Sequence, residues 1–405
     1  MSHTLLFVGG GLEAKPAIEL AKQMGIWTVV SDAVENAPGM IIADDRLVAS
    51  TYDVDATVKV AQEYDSTIRK IDGAICVASD IPLTVASVAQ ALGLPGISIE
   101  SANLASNKLM MKERFKRDGV PIPWFKQVQS AEELIDVVNK SEGPVVLKPV
   151  DSRGSRGVFI IKNTEGIKKL FDEAMSFSPS ATVMVETFLP GPQVSSESIV
   201  LDGQVFTPGF SDRNYELLEK YAPSIIENGG QLPTILPSET VSQVHKVIAD
   251  AAHSLGIKNG VVKGDIVVSE GNVYVIEVAA RLSGGYFCTH EIPLNTGVDF
   301  VGAAIKLALG MPVDSEDLVP KYQKAVAQRY FFPTPGVVKS IDNVDMYDCN
   351  SDVVLLEVRV KVGDIVADIN NHPGRAGVVI TIGDDRASAV KLAEEVISKI
   401  QINTE

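Results

Sequence analysis

Residues Val261 to Gly285, VVKGDIVVSEGNVYVIEVAARLSGG, restrict the fold more than any other stretch of the chain. Two β-type runs, Ile266–Val268 and Val273–Ile276, flank the turn Ser269-Glu270-Gly271-Asn272, which is a good hairpin signal. Asp265 precedes the first run and Glu277 ends the second. Antiparallel pairing makes the two ends of such a stretch neighbours across the ladder. Two carboxylates placed this way repel each other unless a cation lies between them. Hard oxygen ligands suit Mg²⁺, which takes one or two carboxylates together with substrate phosphates. Arg281 and the turn Ser283-Gly284-Gly285 follow, and an arginine beside a glycine-rich turn suits phosphate oxygens. The competing reading of this stretch alone is a surface hairpin with solvated acids.

The chain before the hairpin alternates strands with helices. Thr4–Val8 reads as a buried strand running into Gly9-Gly10-Gly11, followed by a helix over Ala14–Met24, a strand at Trp27–Val30 and Asp32. This order is similar to the start of a dinucleotide-binding unit, but Lys15 and Pro16 stand where the last glycine of that fingerprint belongs. A Rossmann-like scaffold without the dinucleotide is expected. A helix over Val54–Glu63, a strand at Gly73–Val77 and a helix over Pro82–Leu92 continue the alternation, which predicts a parallel sheet and a first domain over residues 1–100.

The next stretch holds candidate ligand groups. A helix over Asn103–Arg117 carries Lys108, Lys112, Arg114 and Lys116, for which a solvated face is the plain reading. The strand Pro144–Pro149 places Lys148 near its end, before the loop Ser152, Arg153, Gly154, Ser155, Arg156 and Gly157. Backbone N–H groups, hydroxyls and charge in that loop are what polyphosphate oxygens need. The strand Val183–Glu186 leads to a hinge, Thr187–Gly191, whose apolar end suits an adenine cleft. Gln193, Ser195 and Glu197 continue the line, and Asp212–Tyr221 is polar, without an assigned element, and a candidate substrate-facing loop. Ser238–Leu255 reads as an amphipathic helix capped by Ser238, with His245 and His253 structural. From 311 to 405 the texture changes to short β-runs and a final helix, a small α+β domain with no obvious chemistry, although Arg329 is a candidate to reach the site.

Composition narrows the partners. A formal net charge of −16 argues against non-specific nucleic-acid or anionic-membrane binding but not against a local cationic pocket. Cys76, Cys288 and Cys349 are odd in number and far apart, so neither a disulfide framework nor a zinc site is expected. The N-terminal stretch lacks the basic region of a signal peptide, and no run approaches the ~18 apolar residues of a membrane span. A cytoplasmic protein is the expectation.

Taken in order, Lys108, Lys148, the glycine loop, the Glu186 hinge and the Asp265/Glu277/Arg281 set resemble the ATP-grasp superfamily over nearly the whole chain. The segment Val275–Gly285 looks most like the L-amino acid ligase branch, with biotin carboxylase-like members close to it. The resemblance implies an α/β and α+β fold: a Rossmann-like pre-ATP-grasp domain over residues 1–100, an ATP-grasp module over 101–310 and a C-terminal α+β domain over 311–405. It implies ATP and Mg²⁺, with Mn²⁺ as the alternative ion. Lys108 and Lys148 would hold the α- and β-phosphates, Ser152 to Gly157 would close over the γ-phosphate, and Glu186 and Leu189 would give backbone contacts to adenine. Gln193 and Glu197 would complete the nucleotide site, and Asp265 and Glu277 would bind the metal. Arg281, with Lys148, would stabilise an acyl phosphate and the tetrahedral state after it.

The implied activity is carboxylate–amine ligation on small molecules, in a homodimer, with no nucleic acid or membrane partner. A purine-pathway enzyme, a biotin carboxylase-like enzyme and a non-catalytic ATP-binding protein are the alternatives. Three departures stand out: Asp265 where many members carry Glu, Ala279 where many carry a ligating Asn, and Gln193 where many carry an acid. The second of these puts two-metal coordination in question.

Overall fold

The computed structural model describes residues 2–405 and is a mixed α/β structure built on four sheets. The first is parallel, in the order Asp45–Val48, Trp27–Asp32, Thr4–Val8, Gly73–Ile75, with the apolar Thr4–Val8 strand fully buried. The glycine turn after that strand is closed by the chain itself. The Gly10 amide donates to Asp32 (2.8 Å), the Gly9 amide to the Ser31 carbonyl (2.8 Å), and a side chain on Gly10 would meet Val30 at 2.9 Å. Asp32 thus serves the turn.

A small antiparallel sheet follows, in the order Phe125–Val128, Val183–Thr187, Val145–Pro149, Phe159–Ile161. The helices Ala131–Lys140 and Ile167–Ser176 cover it, burying Leu134, Phe171 and Ala174 against Leu147 and Val185. The largest sheet has eight strands, in the order Asn272–Ala279, Gly260–Ser269, Gln193–Leu201, Gln204–Asn214, Gly229–Leu232, Ala325–Tyr330, Gly377–Gly383, Val353–Val358. Strands from beyond residue 311 therefore complete the sheet that carries the hairpin, with Gln328 laddered directly to Gly230. A separate three-stranded sheet, Ile365–Val366, Gly336–Asp342 and Gln401–Thr404, closes the C-terminal end.

Three local expectations are corrected. The helix read over Asn103–Arg117 is two helices, Ile99–Ser106 and Lys108–Asp118, because the Asn107 side chain accepts from the Leu109 and Met110 amides (3.1 and 3.0 Å) and starts a new helix. Ser238 does not cap its helix; it is already the first helical residue, the N-cap is Pro237, and no side chain bonds the end. The polar stretch after residue 212 is partly strand, since Gln204–Asn214 runs on before a short helix at Leu218–Tyr221. The Ser238–Ser254 helix packs Val244, Ile248 and Ala251 against Val262, Ile266 and Val275 under the large sheet, and His245 meets Phe210 edge-on. Among the described residues no helix is long and apolar enough to cross a membrane.

Replacing Asn107 by Ala removes the acceptor that restarts the helix. A loss of about 1 kcal/mol in unfolding free energy is expected, measured by urea denaturation against the unaltered protein.

Candidate functional site

A cavity of about 600 Å³ opens between the parallel sheet, the small sheet and the face of the large one. Its floor is two cross-strand rows of the large sheet. Gly209, Glu197, Lys263 and Ala279 lie opposite one another in one row, of which Lys263 and Ala279 reach the cavity, and Ser211, Ser195, Asp265 and Glu277, all lining it, form the next. Residues two apart on a strand share a face, so both rows look the same way. The hairpin carries a bulge: Asp265 faces Glu277, Ile266 faces Val275, and Ile276 is left without a partner. A bulge re-aims side chains, and here both Ile276 and Glu277 line the cavity.

The two acids of the hairpin have different surroundings. Asp265 is buried, and both its oxygens are taken. Oδ1 accepts from Ser195 Oγ (2.8 Å) and pairs with Arg213 (2.9 Å), while Oδ2 pairs with the Lys263 ammonium. Burial opposes its charge, but Arg213 and Lys263 outweigh it and hold the carboxyl below the usual carboxylate range. Glu277 is 35% exposed at its side chain, and its one ion pair among the described residues is with Lys108, at 3.6 Å. No cluster of three or more acidic, His or Cys side chains able to hold a metal occurs among the described residues.

Glu186 faces the cavity with its side chain. It sits mid-strand, laddered to Phe125 on one side and Val146 on the other. Its buried carboxylate pairs with Lys148 at 2.5 Å and Lys112 at 3.1 Å. Lys112, read as part of a solvated face, is instead buried, and it also donates to the Val275 carbonyl (3.2 Å). Burial pushes its ammonium down to about 8 despite the Glu186 charge. Lys108 lies at the cavity wall and donates to the Ser152 carbonyl (2.9 Å).

The loop Ser152, Arg153, Gly154, Ser155 and Arg156 covers one side of the cavity. Gly157 lies behind it, outside the lining, with positive φ and its hydrogen against Pro149 and Phe177. The loop is held down from the C-terminal part of the chain. The His372 amide donates to the Gly154 carbonyl (3.0 Å), and His372 Nε2 lies 3.2 Å from Ser155 Oγ. Burial and the neighbouring Arg375 and Arg213 keep that imidazole neutral. Arg375 stacks on the Tyr330 ring at 3.5 Å and has no acid partner among the described residues.

Leu189 and Gln193 line the cavity. Arg281 does too, held by Asp80 of the first domain at 2.5 Å. Glu197 does not line it. It is fully buried, accepts the Ser283 amide (3.0 Å), and keeps Oε2 without a partner. Arg329 is turned away, bonded to the Gly230 and Gln328 carbonyls and to Gln231. Sequence reading missed Asp80, Lys112, Glu227, His372 and Arg375, whereas Glu291 ends the stretch Tyr286–Glu291 that it expects to face substrate. Lys112 is one turn from Lys108, a spacing that shares a helix face. Asp80 follows the carboxyl end of a parallel strand, where ligands of such sheets bind. His372 to Arg375 lie in a His-Pro-Gly-Arg turn, and nothing in the local pattern links that turn to a loop more than two hundred residues away.

Glu197 gives a pH signature. Burial pushes its carboxyl up to about 7, so the folded chain keeps a proton that the unfolded chain releases near 4.5. Its contribution to stability therefore falls as pH rises from 4.5 to about 7. Glu197→Gln cannot release that proton. Its melting temperature should gain on that of the unaltered protein between about pH 5 and about pH 8, read by thermal unfolding at both.

Comparison with known proteins agrees with this architecture. Residues 105–285 match the ATP-grasp domain model, and residues 329–405 match the model of L-amino acid ligase C-terminal domain 2. The uncharacterized protein y4rH of Sinorhizobium fredii is 24% identical over 365 residues, 89% of this chain and 74% of that one. The carbamoyl phosphate synthase large chain of Thermotoga petrophila is 22% identical over 96% of this chain, which spans 35% of that protein. The crystal structure of L-amino acid ligase from Bacillus licheniformis superposes with a TM-score of 0.85 at 18% identity, covering 100% of this chain and 99% of that one. The chain thus carries an ATP-grasp domain over residues 105–285, followed by an L-amino acid ligase C-terminal domain 2 over residues 329–405.

Proposed function

We propose that this protein is an ATP-dependent ligase that joins the carboxylate of an amino acid or similar small acid to an amine. A carboxylate oxygen attacks the γ-phosphorus, the bond to the β–γ bridging oxygen breaks, and ADP leaves. The amine nitrogen then attacks the acyl carbon, the acyl C–O bond breaks, phosphate departs, and the surplus amine proton passes to solvent. The observation that carries this reading is the convergence of Lys108, Lys148, the Ser152–Arg156 loop, Glu277 and Arg281 on one cavity.

Such phosphoryl transfer asks the protein for positioning and charge. Lys148 is fixed by Glu186, and Arg281 by Asp80, so neither has to reorganise when charge develops on the transferred group. Lys108 and the loop would hold the phosphates, Glu186 and Leu189 would face adenine, and Gln193 would hydrogen-bond the ribose. The loop, pinned by His372, would keep water from the acyl phosphate. Glu277 suits a divalent ion, being partly exposed to the cavity; Mg²⁺ or Mn²⁺ bound there would neutralise phosphate charge.

Part of the cavity lining favours a zwitterion. Arg375 offers a guanidinium with no acid partner. Nearby, burial and the Glu227 charge push the Glu291 carboxyl up to about 8, strain that an ammonium between the two acids would relieve. An α-amino acid carries both groups. A cytoplasmic location and a homodimeric state belong to the same reading and rest on the family resemblance. A non-catalytic ATP-binding protein has one observation in its favour, the full pairing of Asp265. Purine-pathway and biotin-dependent reactions are separated by their substrates.

The test is ADP and phosphate release with ATP, magnesium and a panel of amino acids, run beside ribonucleotide amines and biotin with bicarbonate. Amino-acid-dependent release of both products, with the amide found by mass spectrometry, is expected. Its absence across the amino-acid panel overturns the reading. Arg281→Lys should lower kcat on the order of a hundredfold or more. Arg375→Ala should raise KM for the amino acid roughly ten- to hundredfold while kcat changes less, as steady-state kinetics would show.

A further inference from the structure

The paired acids of the hairpin do not fit two metal ions equally. At Asp265 both oxygens already meet donors: Ser195 and Arg213 on one, Lys263 on the other. Lys263 and Arg213 together bring two positive charges, the charge of one divalent ion, to a buried carboxylate. A dication entering there would meet an ammonium and a guanidinium at contact distance in a site shielded from water, where like charges repel strongly. The register explains how the lysine arrives. Lys263 lies directly opposite Ala279, whose methyl leaves room and offers no ligand oxygen, and two residues before Asp265 on the same face. Glu277, across the ladder from Asp265, is partly exposed, lines the cavity, and among the described residues forms a single ion pair, with Lys108 at 3.6 Å.

We propose that this chain carries a single divalent ion with its nucleotide, on Glu277, and that the Lys263 ammonium with Arg213 permanently takes the place of a second ion at Asp265. The inference rests on the nucleotide site of the ligase reading and deepens it. Lys263 is a positioning residue: it fixes the Asp265 carboxylate and supplies constant positive charge beside the phosphates. The site then depends on free magnesium to first order, and half of its cationic charge is present before any metal arrives.

The experiment is a Mn²⁺ titration of the full chain held in excess over a non-hydrolysable ATP analogue, so that metal is counted per bound analogue, with free Mn²⁺ read by electron paramagnetic resonance and analogue binding read separately by calorimetry. The unaltered protein should take up about one equivalent of Mn²⁺. The double variant Lys263→Ala with Ala279→Asn, which removes the ammonium and restores a ligand oxygen, should take up about two. Lys263→Ala alone, a gentler change, should add a weaker second equivalent. Two equivalents bound by the unaltered protein overturn the proposal, whether or not the variants fold. A count of one in both variants while they still bind the analogue also overturns it. Failure of the unaltered protein to bind the analogue at all is a different result, and it removes the nucleotide reading together with the inference.

Discussion

Glu186 is a carboxylate with almost no access to water, and it is held by two ammonium groups from different parts of the chain. Burying an ion costs several kcal/mol, and the cost is offset only when its partners are close and well placed. Lys148 comes from the neighbouring strand of the small sheet, and Lys112 from the helix that starts at Asn107. Lys112 also reaches the Val275 carbonyl at the bulge of the long hairpin. One carboxylate therefore ties the small sheet, a helix and the large sheet together at the point where they form the cavity. If any of the three shifted, a charge would be left buried and unpaired, so the relative placement of the site's walls is under strong energetic control.

A second network does the same for the other wall. Glu13, just past the glycine turn of the first sheet, accepts the Gly285 amide (2.7 Å) and pairs with Arg359 (2.8 Å). Arg359 in turn pairs with Glu357, which accepts from the Tyr286 hydroxyl, both at 2.5 Å. The beginning, the middle and the end of the sequence meet in four side chains. With the Asp80–Arg281 pair, this explains how the parallel sheet serves the site although its own glycine turn is closed by Asp32 and Ser31. It supplies acids that orient the arginine and the glycine turn of the hairpin.

Much of the architecture was legible because it rests on local pattern. The period-two runs around Ser269–Asn272 defined the hairpin, and the alternation of strands and helices before residue 100 defined a parallel sheet. The pairing of Asp265 with Glu277 follows from the hairpin alone. What surrounds Asp265 does not: Arg213 and Ser195 arrive from two other strands, and only the sheet order brings them near. Lys112 looked solvated because a helix face has no sign saying what packs on it. The C-terminal segment looked inert because its contribution, His372 and Arg375, depends on strand Ala325–Tyr330 joining the large sheet and carrying the following turns to the cavity mouth. Glu197 looked like a ligand from its place in the line, yet its row position puts it beneath the Ser283 amide.

The hold of His372 on the loop at Gly154 and Ser155 has a kinetic consequence. Two bonds from a distant turn must break before that loop can lift, and the same turn supplies Arg375, which lines the cavity and donates to the His372 carbonyl (3.0 Å). A molecule drawing on Arg375 would therefore pull on the segment that pins the loop.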